Sequence, residues 1–182
     1  FSTNSVIDPS LKTNTQVENS KNKKPAGSLT FNSIQDAIDA TPAGGIVKVK
    51  TGVYAVSSLV VIKNLTVIFE PGAEVIAESG QASITIGDTS ILRNQSEAVV
   101  TFKGYGNFTN VSFRVMGMGT SNNPGTKTSF YLNCNNVTNN NGNYCFYWSN
   151  VKEFKCKFKK VTGGDNLFDS DHFGGNAEFD GD

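Results

Sequence analysis

The sequence predicts a parallel β-helix, a solenoid of about six coils closed at its amino end by one short helix. Three observations carry this prediction. Asn, Gly, Ser and Thr are abundant, and these residues form tight corners because they tolerate left-handed backbone or bond to it locally. Only one stretch has convincing helical periodicity, and everything after Gly45 reads as short extended runs. Those runs recur: Asn64-Leu65 and Asn110-Val111 lie 46 positions apart, as two coils of 23 would, while Cys134 and Cys156, like Phe146 and Phe168, lie 22 apart. A period of about 20–25 residues, made of three short strands and three corners, is a solenoid signature, because one coil cannot bury its own apolar face and must stack on the next.

Residues 1–28 are polar, with Pro9 and Pro25 and few apolar anchors, and are expected to form an extended arm or linker; residues 29–182 form the β-helix domain. The helix is expected over Asn32–Thr41. Asn32 caps it, Gln35 follows three residues later as in a capping box, and Ile34, Ala37 and Ile38 make one apolar stripe. Pro42 and Gly44-Gly45 stop it. Strands are expected at Ile46–Lys50, Ser58–Lys63, Leu65–Glu70, Glu74–Glu78, Ser83–Ile86, Ala98–Lys103, Val111–Met116, Ser129–Leu132, Tyr144–Trp148 and Phe154–Phe158. Gly104-x-Gly106 fits a corner, and Met118–Lys127 is expected to bulge from one coil as a loop. Asparagines at the corners are expected to bond to one another's turns along the solenoid axis.

Within Thr30–Glu78, the residues Ile34, Gln35, Ala37, Ile38, Gly44, Gly45, Val47, Val49, Gly52 and Tyr54 fall in the pattern I-Q-x-A-I-D-A-x-P-A-G-G-x-V-x-V-x-x-G-x-Y. This resembles the opening of pectin-lyase-like right-handed parallel β-helix proteins, and Lys63–Val67 and Pro71-Gly72-Ala73 look like the next corner and coil. The resemblance covers about a quarter of the chain. It implies the right-handed fold and a helix that caps the first coil. That cap has a physical reason, since a parallel solenoid otherwise exposes apolar cross-section and unpaired strand edges at its end. The same opening occurs on polysaccharide lyases, glycosidases, phage tailspikes and non-catalytic adhesins, so it specifies fold rather than activity. The protein is expected outside the cell, on a cell or virion surface.

Charge excludes more than it assigns. Lys+Arg and Asp+Glu number 16 each, so the basic excess of a nucleic-acid binder is missing. No apolar run reaches the roughly 20 residues of a membrane span. The chain opens at Phe1 without Met, as expected of a processed mature chain or an excised fragment.

Five groups of residues are candidates for chemistry. The acidic carboxyl segment contains Asp169-x-Asp171-His172, which could offer oxygen ligands to Ca²⁺ or carboxylates for glycoside hydrolysis. Solvated corner carboxylates are the simpler reading, and similar β-helix glycosidases carry a consecutive Asp pair and a Gly-His-Gly that this chain lacks. Arg93 and Arg114, 21 positions apart and so about one coil, could assist proton abstraction as in similar lyases, or be solvated. In the aromatic run Tyr144–Trp148, alternation puts Phe146 and Trp148 inside and Tyr147 outside; Tyr147, together with Tyr131, is a candidate platform for sugar rings. Cys134, Cys145 and Cys156 are spaced by 11, which does not suit zinc; Cys134 and Cys156 would stack in neighbouring turns, as a disulfide or as reduced thiols. Finally, Asn-x-Ser/Thr sequons at Asn64, Asn94, Asn107, Asn110 and Asn136 are glycosylation candidates or plain corner asparagines.

Together these features lead to an extracellular structural or adhesive module, a subunit of a spike, fibre or filament that contacts glycans and is not catalytic. Self-association is expected through an open carboxyl-terminal coil and the 1–28 arm. No cofactor is expected unless Asp169 and Asp171 bind Ca²⁺. The alternative is a truncated polysaccharide lyase or glycoside hydrolase, including a phage tailspike depolymerase fragment.

Overall fold

The structure, a computed structural model, describes residues 4–7, 17–19, 26–29, 31, 33–87, 97–117, 128–141, 144–163, 166–171 and 176–181. Strands β1 (Asn4–Ile7), β2 (Val17–Asn19) and β3 (Ala26–Leu29) precede helix α1 (Ile34–Ala40). Five complete turns follow: β4 (Gly45–Val49), β5 (Gly52–Val56) and β6 (Ser58–Val61); β7 (Leu65–Phe69), β8 (Ala73–Ala77) and β9 (Ala82–Ile86); β10 (Val99–Gly104), β11 (Asn107–Thr109) and β12 (Val111–Met116); β13 (Ser129–Asn133), β14 (Asn136–Asn139) and β15 (Phe146–Ser149); β16 (Glu153–Lys157), β17 (Lys160–Gly163) and β18 (Phe168–Asp171). Strand β19 (Asn176–Asp180) begins a sixth.

Equivalent strands pair in parallel from turn to turn and build three sheets. The first runs β1-β4-β7-β10-β13-β16-β19, the second β5-β8-β11-β14-β17 and the third β6-β9-β12-β15-β18. This is the expected parallel β-helix. The 1–28 segment, expected as an arm, contributes β1 to the edge of the first sheet in parallel register with β4, and β2 and β3 pair antiparallel.

The turns are not of constant length. Val47 lies opposite Val67, 20 positions on, but Val67 lies opposite Phe102 and Phe102 opposite Leu132, 35 and 30 positions on. The expected 46-residue double period fails here: Leu65 pairs with Val100 in the first sheet, whereas Val111 pairs with Ala82 in the third. A spacing near 22 holds between the first two turns in the second sheet, where Tyr54 faces Val75, and again late in the chain, where Phe146 faces Phe168 and Cys156 faces Phe179. The corner between the first and second sheets takes two or three residues in every turn, and the connection from the second sheet to the third takes one to six. Twelve residues each, 87–98 and 117–128, separate β9 from β10 and β12 from β13; Met118–Lys127, expected as a loop, lies outside the described residues.

The core is a stack of inward rows. In the third sheet one row reads Leu59, Ile84, Phe113, Phe146, Phe168. The Phe113–Phe146 and Phe146–Phe168 rings stack at 5.6 and 5.5 Å with interplanar angles of 15° and 12°. Strand pairing at about 4.8 Å brings these rings together, so the ladder and the core form as one event. The inward valines Val47, Val49, Val61 and Val67 of the first two turns and the inward phenylalanines Phe102, Phe113, Phe130 and Phe154 of later turns all have relative exposure of 0 %, and Phe69, at 1 %, begins the aromatic stack in the second turn. Each such burial is worth about 2 kcal/mol.

Helix α1 closes the amino end by a route the sequence only half revealed. Ser33, not Asn32, is its cap, and the Ser33 hydroxyl accepts from the Asp36 N–H at 3.0 Å. Ile34, Ala37 and Ile38 face the core as expected. Gln35 makes no capping box, because it stands two residues after the cap rather than three. Its side chain reaches the edge strand β6 instead: the Val60 N–H donates to Gln35 Oε1 at 2.8 Å and Gln35 Nε2 donates to the Val60 carbonyl at 3.1 Å. A side-chain amide thus takes the place of the missing neighbouring strand.

The corners show the expected asparagine chemistry. Asn136 Nδ2 donates to Asn107 Oδ1 at 2.8 Å one turn below, and Asn110 and Asn150 adopt left-handed backbone at φ 56° and 52°. Glycine is required where the long connections leave the third sheet. A Cβ on Gly87, whose φ is 76°, would come within 2.1 Å of the Met116 carbonyl oxygen, and one on Gly117 within 1.8 Å of that of Asn150.

Candidate functional site

The outer face of the first sheet holds the richest constellation. Strand alternation buries Val100, Phe102, Phe130, Leu132, Phe154 and Cys156 and turns their neighbours outward. Register then lines the outward residues into rows across the turns. One row is Thr66, Thr101, Tyr131, Lys155, Glu178; beside it run Ile68, Lys103, Asn133, Lys157, Asp180. A third is Val99, Ser129, Glu153, Asn176.

Tyr131 stands at the centre. Its hydroxyl donates to Glu153 Oε2 on the next strand. That bond raises the tyrosine above its ordinary pKa, with burial and the Glu153 charge adding and a bond from Ser129 opposing. The same bond holds the Glu153 carboxyl below its ordinary range against desolvation, with Lys155 and Lys152 adding to the lowering. The ring is therefore held at its polar tip. Further along the face Lys157 meets Asp180 at 2.6 Å and Lys155 meets Glu178 at 3.6 Å, and the aspartate raises the Lys157 pKa.

Two hollows flank the ring. One, of about 230 Å³, is bounded by Thr101, Lys103, Tyr131, Asn133, Lys155 and Lys157. The other, of about 460 Å³, lies toward the corner with the long connections and is bounded by Asn64, Glu97, Val99, Ser129, Tyr131 and Lys152. Tyr131 belongs to both. Glu97 ends the first long connection, and its Oε1 is buried with no hydrogen-bond partner among the described residues.

Tyr147 lies elsewhere, on the outer face of the third sheet. The Arg114 guanidinium carbon sits 5.6 Å from its ring centroid, and the Tyr144 ring lies 5.4 Å away. The two candidate sugar platforms thus occupy different sheets. Phe146 and Trp148 are buried, as alternation required. Arg114 has Thr85 as its neighbour one turn back, so the 21-residue spacing does not put Arg93 in register with it; Arg93 itself is outside the described residues. Asp169 follows Tyr147 in its row and is exposed, Asp171 ends β18 opposite Ser149, and His172 lies outside the described residues. Among the described residues no three His, Cys, Asp or Glu converge so as to hold a metal ion.

The cysteines correct a second spacing argument. Cys156 faces Leu132, two residues from Cys134, and all three cysteines are free and buried. Burial pushes the Cys134 thiol up to about 12 and that of Cys145 up to about 11, and holds Cys156 well above its ordinary value. Nucleophilic chemistry needs a thiolate, so these thiols serve packing.

Of the sequons, Asn64 accepts from the Val99 N–H at 2.8 Å and Asn110 from the Asn140 N–H at 3.3 Å; Asn107 and Asn136 bond to each other. Each is a corner or ladder tie. Asn94 lies outside the described residues.

Comparison with known proteins assigns nothing further: no family model matches the chain, and no curated protein or solved structure matches it significantly.

Proposed function

We propose that this chain is a non-catalytic structural or adhesive β-helix module of a spike, fibre or filament outside the cell, and that it contacts glycans with the outer face of its first sheet. Within that reading it belongs with the pectin-lyase-like β-helices; the position of α1 against the first turn, where the opening motif requires a cap, supports this. The observation that carries the glycan contact is Tyr131, an aromatic ring tethered at its hydroxyl between two hollows on an unbroken sheet face. Such a ring offers an apolar platform to a sugar without the entropy loss of ordering it on binding.

The engagement of three carboxylates in the rows of this face, with Glu97 at its edge left without a partner for Oε1 among the described residues, favours binding over chemistry. Glu153 is taken up by Tyr131, Glu178 by Lys155 and Asp180 by Lys157. An acid or base for glycosidic or lyase chemistry must instead be poised to exchange a proton with substrate.

The test is retention on a panel of insoluble polysaccharides, with soluble products followed by reducing-end and ultraviolet assays. Retention that Tyr131→Ala abolishes, without product, is expected. Accumulating product overturns the non-catalytic assignment, and retention indifferent to Tyr131 overturns the contact face.

A further inference from the structure

The hollow between Glu97 and Tyr131 has a chemical bias that the rest of the face does not share, and a preference of this hollow for one class of sugar presupposes the glycan contact proposed for the face. Its side-chain groups are one carboxylate, one amide, one hydroxyl, one aromatic ring and one ammonium, from Glu97, Asn64, Ser129, Tyr131 and Lys152. Glu97 Oε1 is buried without a partner among the described residues. A buried carboxylate oxygen in that condition is costly unless a donor arrives, and a carboxylate accepts but cannot donate. Asn64 lines the hollow and is oriented by the bond its Oδ1 accepts from the Val99 N–H, which leaves its Nδ2 as the amide's donor. Just beyond Tyr131 stands the second carboxylate, Glu153, held in its charged form by the tyrosine hydroxyl and by the nearby lysines.

We infer that this hollow takes a neutral hexose unit, with ring hydroxyls donating to Glu97 and accepting from Asn64 and with one sugar face against Tyr131. Uronate or sulfated units are disfavoured, because their charge would stand beside Glu97 and Glu153 with Lys152 as the only cation in the lining among the described residues. The other hollow differs: its lysines are set against Glu178 and Asp180, so it has no comparable negative bias. Specificity would therefore be set on the side of the long connections.

The experiment is calorimetric titration of the full chain with hexasaccharides of three kinds: neutral (cellohexaose and mannohexaose), acidic (hexagalacturonate) and cationic (the chitosan hexamer). At least one neutral hexamer is expected to bind about tenfold more tightly than hexagalacturonate. Glu97→Gln should weaken the neutral ligand by about tenfold, since a charged acceptor becomes a neutral one, and should narrow the gap to hexagalacturonate. Lys160→Ala, an exposed position on the second sheet and so away from the contact face, should change neutral binding by less than about twofold. Circular dichroism and thermal midpoints confirm that each variant is folded. If the acidic hexamer binds as tightly as the neutral ones, or the cationic hexamer binds no more tightly than the acidic one, the inference falls and the glycan contact survives. Neutral binding indifferent to Glu97→Gln but lost in Tyr131→Ala also overturns the inference alone. If no hexamer binds, the inference and the proposed function fall together.

Discussion

Gln35 offers the sharpest test of how the amino end is closed. Its amide makes two main-chain bonds to Val60, at 2.8 and 3.1 Å, and a third bond to Asp39 Oδ1 at 2.9 Å. Gln35→Met keeps length and helix propensity but removes all three. Each main-chain bond contributes about 1 kcal/mol net, and the exposed one to Asp39 less, so the expected loss is about 2 kcal/mol. It rises toward about 3 kcal/mol if the Met side chain keeps water from the Val60 N–H and carbonyl. Gln35→Glu discriminates further. It retains an acceptor for the Val60 N–H but sets a second oxygen against the Val60 carbonyl and a charge beside Asp39, so at neutral pH it should cost as much as Met or more. Below about pH 4 the protonated glutamic acid regains a donor and part of the loss should return. Urea unfolding followed by far-ultraviolet circular dichroism measures both variants by linear extrapolation. A Gln35→Met variant within about 0.3 kcal/mol of the parent would refute the idea that one side chain substitutes for a strand at this edge.

Three further outcomes are expected. Phe113→Ala, which removes a ring within 5.0–6.3 Å of Phe102, Phe108, Phe130 and Phe146, should cost about 3–5 kcal/mol, and Phe168→Ala, at a position 40 % exposed, well under half of that, both read by equilibrium unfolding. Tyr131→Phe should reshape the pH dependence of the thermal midpoint. The depressed Glu153 pKa contributes stability above its unfolded value of about 4.3 and loses it as pH falls through the folded value, while the raised Tyr131 pKa contributes below about 10 and loses it as pH rises through the folded value. The variant should lie below the parent between these limits and converge with it only once pH has fallen below the depressed Glu153 value; parallel curves would contradict the assignment. In the native protein at pH 8, Cys134, Cys145 and Cys156 should resist a thiol-specific chromogenic reagent and all react after denaturation; rapid native labelling would show that they are not buried thiols.

Much of the fold can be read from residues that play their structural role locally. The Ile34/Ala37/Ile38 stripe, the alternation of Val47 and Val49, and the full extent of β12 follow from period alone. The second sheet is nearly invisible to the same reasoning. Strands β11 and β14 each present one buried apolar residue, Phe108 and Val137, among Asn and Thr, and are defined by pairing with neighbours rather than by their own pattern. The repeat misleads for a related reason: corners differ in length from turn to turn, as at residues 87–98, 117–128 and 140–145, without changing which side chains face inward. The step from β13 to β16 is therefore 24 residues, and the 22-residue spacing of Cys134 and Cys156 does not make them equal positions. Asn32 and Ser33 are equally good caps by type, and only the geometry of the first turn selects Ser33. At the site, alternation in Ser129-Phe130-Tyr131-Leu132 sends Tyr131 outward. Glu97 has no such signal, because it ends a connection that carries no periodicity.

The outer face of the first sheet is also a ruler with two gradations. Along the solenoid axis a side chain recurs at the strand separation, about 4.8 Å, and along a strand it recurs every second residue, about 6.8 Å. Tyr131 and Lys155 mark the first interval, Ser129 and Tyr131 the second. A polymer laid on this surface finds matching contacts only if its own repeat agrees with one interval, so the monomer length of a bound chain dictates whether it runs parallel to the stack of turns or across it.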